Sequence, residues 1–142
     1  MAATALERTV ENKVITLLQA SIPDIADACF HAGQSADELA LPRVTVEAQS
    51  LSEFVTRTGV FRVQCTVSLE NHAQDVVADT HDNQWAWLVS VFAASSFPTS
   101  MTASELKVYP IYRRQTSLDR SENSWRNTLT VEFCACLNRT NP

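Results

Sequence analysis

From Phe61 to Glu70 the chain alternates without a break, Phe61, Val63, Cys65, Val67 and Leu69 against Arg62, Gln64, Thr66, Ser68 and Glu70. Successive side chains of a strand point to opposite faces, so a period of two held this long specifies a half-buried β-strand. An amphipathic helix would instead need apolar residues three and four apart. One covered face and one polar face imply a sheet packed on a single side, the usual habit of antiparallel strands.

Two further segments carry the same period. Val44, Val46 and Ala48 alternate with Arg43, Thr45, Glu47 and Gln49, and Trp125, Leu129, Val131, Phe133, Ala135 and Leu137 share one parity opposite Arg126, Thr128, Thr130, Glu132, Cys134 and Cys136. Leu106, Val108 and Tyr112 are expected to share a face in a fourth strand, where Pro110 implies an edge position or a bulge, since proline donates no ladder hydrogen bond. The helical period appears twice. Leu6, Val10, Val14, Leu17 and Leu18 predict a helix over about 4–20, with Glu7, Glu11 and Lys13 off the stripe. Trp85, Leu88, Val89, Phe92 and Ala93, widened by Trp87 and Val91, predict a second and more deeply buried helix, capped by Asp79 or Thr80 and ending before Pro98. Ile25 to Phe30 is read as one more helical turn, before a loop from Gly33 to Glu38.

The expected order is helix, strand, strand, helix, strand, strand. It gives one two-layer α+β domain over residues 1–142, a mainly antiparallel four-stranded sheet packed by two helices. Two connections, Leu51 to Gly59 and Thr116 to Ser124, are too long or too poor in glycine for tight turns and are expected to project as polar arms.

Composition narrows the function. Charge is −5, with Lys13 and Lys107 the only lysines, which opposes a general grip on nucleic acid. It is unevenly spread, with 12 acids and 5 bases in residues 1–82 against 4 acids and 6 bases in 83–142. No stretch reaches the roughly 20 apolar residues that span a bilayer, and the opening residues lack a long apolar signal segment, so a soluble protein without membrane contact is expected.

Candidate chemistry is sparse. Cys29, Cys65, Cys134 and Cys136 lack C-x-x-C spacing, and Cys134 and Cys136 stand roughly 7 Å apart by strand rise, beyond disulfide reach. His31, His72 and His81 lie in separate segments. Gly33 and Gly59 are the only glycines, too few for phosphate-cradling loops, and no G-x-S-x-G elbow occurs. Neither catalytic residues nor a cofactor or metal is expected; Cys29, His31 and Asp27 are the least implausible catalytic trio. Arg113 and Arg114 beside Tyr109 and Tyr112, with Arg120 and Arg126 across a hairpin, form the one basic and aromatic cluster. Such residues suit an inter-subunit surface, with Arg126 placed to pair with Glu132 or Glu122, or less readily phosphate contacts.

The opening helix Ala5 to Gln19, Pro42-Arg43-Val44-Thr45-Val46 followed by a long arm, Gly59 to Val67, the aromatic helix after Asp79 and the closing hairpin ending Trp125 to Leu137 together resemble phage tail terminator and tail-completion proteins. That resemblance implies a homo-hexameric ring in the neck of a virion, capping the tail tube protein on one side, meeting the head connector or neck protein on the other, and letting DNA pass without specific binding. The contacts would come from the arms and the basic cluster, through Phe54, Arg57, Arg113, Arg114, Asp119, Arg120, Glu122 and Arg126. The segment Ile25 to Leu41 is longer than the pattern implies. Two other readings stand beside it: a head-completion protein on the portal side, or a small nucleic-acid or ligand-binding module using the Tyr109 to Arg126 surface.

Overall fold

The computed structural model describes residues 5–22, 29–31, 43–54, 59–72, 78–93, 95–102, 106–120 and 124–137. In chain order these form α1 (Leu6–Ser21), β1 (Cys29–His31), β2 (Arg43–Glu53), β3 (Phe61–His72), α2 (Ala78–Ala93), α3 (Phe97–Met101), β4 (Leu106–Val108), β5 (Arg113–Arg120) and β6 (Ser124–Leu137). The fold is α+β, with a mostly antiparallel sheet.

The sheet runs β1-β2-β3-β6-β4, with β5 also paired to β6. The alternating segment, β3, lies at its centre between β2 and β6, both antiparallel to it. That place follows from its pattern, since a strand with no proline or glycine and an unbroken apolar face can be paired along both edges. Its apolar parity joins those of β2, β4 and β6 in one core, where Val44, Val46, Val63, Cys65, Val67, Leu69, Leu106, Val131 and Phe133 are all fully buried. From the other side α1 contributes Val10, Val14 and Leu18, α2 contributes Leu88 and Phe92, and α3 contributes Phe97 and Met101. Phe97 lies between two rings, with centroids 5.4 Å from Phe92 and 5.6 Å from Phe133.

Several expectations are corrected. Six strands and three helices are present among the described residues, against four and two expected from the pattern. The added helix is α3, where Pro98 stands in the first turn and starts a helix as well as ending the preceding segment. Cys29–His31 is no helical turn but a strand paired in parallel to β2, Cys29 opposite Val44. The strand expected over Leu106 to Tyr112 is divided at Pro110. Tyr109 and Tyr112 still donate their N–H groups to the carbonyls of Cys134 and Glu132, so the edge continues through a bulge. The extra residues turn Tyr112 out, and at 54% exposure it does not share the buried face of Leu106 and Val108.

Both arms are shorter than expected. β2 runs on to Glu53 through a register shift between Ser50 and Ser52, while β5 covers Thr116 to Arg120, leaving residues 121–123 between it and β6. The second helix is also less buried than expected: Trp87 is 47% exposed and Ala93 is exposed, whereas Trp85 and Val91 pack partly against the core.

Two acidic residues of α1 do structural work. Among the described residues β1 pairs with β2 as far as Val46, and beyond that point Glu11 Oε2 accepts the Ala48 N–H at 2.9 Å while Ser50 Oγ donates to Glu7 Oε1. A helix carboxylate thus takes over as hydrogen-bond partner where the neighbouring strand stops. The Ser50 bond holds the Glu7 carboxyl below its usual range.

Candidate interaction surface

The helices cover one face of the sheet, and no described element covers the other. Register sets out that open face as four cross-strand rows. Arg43, Glu70, Arg126 and Asp119 form the first; Thr45, Ser68, Thr128 and Ser117 the second; Glu47, Thr66, Thr130 and Gln115 the third; Gln49, Gln64, Glu132 and Arg113 the fourth. Small hydroxyl side chains occupy the middle, and Ser68 bonds Thr128 at 3.1 Å with Thr66 and Thr130 at 3.5 Å. Opposite charges flank them. Arg43 donates from Nε and Nη2 to Glu70 Oε1 at 2.9 and 2.6 Å, and Arg113 Nε lies 3.4 Å from Glu132 Oε2. The result is a polar surface crossed by hydrogen bonds and ion pairs between neighbouring strands.

One end of this face is different. There Arg62 lies over the Phe54 ring with its guanidinium carbon 5.5 Å from the centroid, and Lys107 lies over Tyr109 at 5.3 Å. Local desolvation raises the Tyr112 hydroxyl above its usual value, Glu132 and Cys134 add to the rise, and Arg62 and Arg113 oppose it. Tyr112 is therefore in electrostatic reach of β3, β6 and β5 at once. Phe54, Tyr109 and Tyr112 are 53%, 36% and 54% exposed, which gathers three aromatic rings and three cationic side chains at one rim. Aromatic residues and arginine are the types enriched where proteins bind one another, because they bury much area and still hold a polar handle. Phe54 is held there by backbone geometry: its N–H donates to Val60 O at 2.7 Å, and Gly59, in the left-handed region at φ 75°, donates its N–H to Glu53 Oε2 at 2.8 Å.

Of the residues expected at an interface, Phe54 and Arg113 belong to this rim. Arg126 is exposed at the far end of the open face, with Asp119 opposite it in register. The pairing of Arg126 with Glu132 is corrected, because Glu132 faces Arg113 and Arg126 stands between Glu70 and Asp119. Arg114 is separated from Arg113 by strand alternation. It borders a cleft of about 330 Å³ on the helix side, walled by Phe92, Phe97, Pro98, Pro110 and Ile111. Arg120 is placed only by its register opposite Trp125. Arg57 and Glu122 lie outside the described residues, as does Asp27 of the candidate catalytic trio. Arg62 is the residue the sequence reading missed at this rim; its place on the polar parity of the central strand, next to an arm ending in Phe54, was the available signal.

A second site converges on a histidine. His81, in the first turns of α2 and 2% exposed, meets Asn71 Nδ2 at Nδ1 and Asn127 Oδ1 at Nε2, both at 2.7 Å, and its ring centroid is 5.6 Å from that of Trp125. Asn71 Nδ2 also donates to Gln84 Oε1 at 3.1 Å. With the Asn71 amide donating, Nδ1 accepts and Nε2–H donates to Asn127 Oδ1. The amides of Asn71, Gln84 and Asn127 thus make this a clamp between α2, β3 and β6. Among the described residues no group of three His, Cys, Asp or Glu side chains is placed to hold a metal ion, and none of their helices is long and apolar enough to cross a membrane. No protein-family model and no curated protein matches the chain.

Proposed function

We propose that this chain is a structural virion subunit that assembles into a ring capping a tail tube and joining it to the head connector, acting by surface contact and not by catalysis. The observation that carries this reading is the asymmetry of the sheet, one face packed by three helices and the other, among the described residues, an uncovered polar surface with an aromatic and cationic rim. A ring subunit must present one surface to its neighbours and another to what it stacks on, and this asymmetry supplies two such surfaces. The resemblance to tail terminators supplies the partners, and the near balance of charge along the four rows suits a surface that DNA passes without sticking.

Size-exclusion chromatography with light scattering tests the proposal on the pure protein, alone and after mixing with purified tail tubes or with head connectors. Comigration with tubes as a multimer is the expected outcome, and comigration with connectors alone would assign the subunit to head completion. A folded monomer that joins neither would refute the reading.

A further inference from the structure

We propose that β5 is a self-pairing edge through which two copies join their sheets antiparallel about a twofold axis, a contact beyond the ring reading and independent of it. Among the described residues β5 pairs only with β6, so its other edge turns every second N–H and C=O outward along eight residues. Residues Arg113 to Leu118 are all exposed, and Leu118, 51% exposed, has no place in the core. β5 contains neither proline nor lysine, the residues that most often block such an edge.

The sequence of β5 selects one register. A twofold axis normal to the joined sheet keeps the open faces on one side, so residues of equal parity must oppose each other. Centred on Thr116, the pairing sets Arg113 opposite Asp119 of the second copy, Arg114 opposite Leu118, Gln115 opposite Ser117, and Thr116 opposite itself. Centring on Ser117 would instead oppose Arg114 and Arg120, a like-charge pair occurring twice, and centring on Gln115 would oppose no opposite charges. The Thr116 register also continues the charge order already present. Within one copy Arg126 faces Asp119 and Glu132 faces Arg113, so the joined row reads Arg126, Asp119, then Arg113 and Glu132 of the second copy, alternating in sign throughout. The aliphatic stem of Arg114 would lie over Leu118.

Sedimentation velocity over a concentration series, with no tail tubes present, tests this directly. The expected result is a reversible dimer. Asp119→Arg should weaken it about tenfold or more by opposing like charges, and Ser117→Lys should abolish it. Hydrogen exchange should show concentration-dependent protection confined to the β5 amides. A folded protein that stays monomeric at every concentration, or a dimer indifferent to Asp119→Arg and Ser117→Lys, would overturn the inference; neither result bears on binding to tubes.

Discussion

Replacing His81 by phenylalanine isolates the polar clamp from its packing, because the ring and its neighbour Trp125 remain while both ring nitrogens are lost. Two hydrogen bonds of 2.7 Å disappear. Asn71 keeps Gln84 as an acceptor, but it is fully buried and its Oδ1 already meets no donor among the described residues, so it has no spare partner. At about 1 kcal/mol for each bond lost, and about 1–2 more for the polar atoms stranded out of water, the cost is ~3 kcal/mol. Against a total stability of roughly 5–15 kcal/mol this is a large fraction. Urea unfolding followed by circular dichroism would show a lowered midpoint with an unchanged slope. Asn127→Ala removes one of the same bonds, so the double variant should fall short of the two single losses combined by on the order of 1 kcal/mol. A His81→Phe protein within about 0.5 kcal/mol of the parent, or strict additivity, would refute the clamp.

Phe97→Ala removes the ring between Phe92 and Phe133 and should cost about 3–5 kcal/mol in the same assay, with Phe97→Leu losing markedly less. Burial, with Glu11 adding to it, pushes the Cys65 thiol from 9.0 up to about 12, so thiol reagents should modify half-buried Cys134 and Cys136 long before Cys65. A folded-state value raised in this way means Cys65 contributes stability that is complete below pH 9 and is lost as pH climbs toward 12; Cys65→Ala should flatten that part of the stability profile. Gly59→Ala should destabilise by about 1 kcal/mol through its positive φ alone, because a methyl group there meets no atom within 4 Å.

Much of this fold was legible because periodicity is a local property that burial enforces. The strands β2, β3 and β6 and the helix α1 follow from alternation or helical spacing, and the buried parity is the expected one at Val44, Val63, Val67, Leu129 and Val131. What failed depended on partners distant in sequence. Cys29 to His31 is too short to show a period, and it is a strand only because β2 offers it an edge. Thr116 to Arg120 holds a single apolar residue, Leu118, which is exposed, and a run without alternation reads as a loop. Pro98 reads as a stop, although proline equally suits a first helical turn. At the candidate surface, the Arg113 and Tyr112 cluster was visible as composition, but the approach of Arg62 to Phe54 depends on the β2 register, and the His81 clamp on three elements meeting.

We propose that the open sheet face and its aromatic rim are the surfaces through which this chain binds a tail tube. Electron microscopy of purified tail tubes incubated with the protein tests it most directly. The account predicts ring-shaped density closing one end of the tube, lost when Phe54 and Tyr112 are both replaced by alanine although that variant remains folded. Bare tube ends with the folded parent protein, or rings untouched by the double replacement, would contradict it.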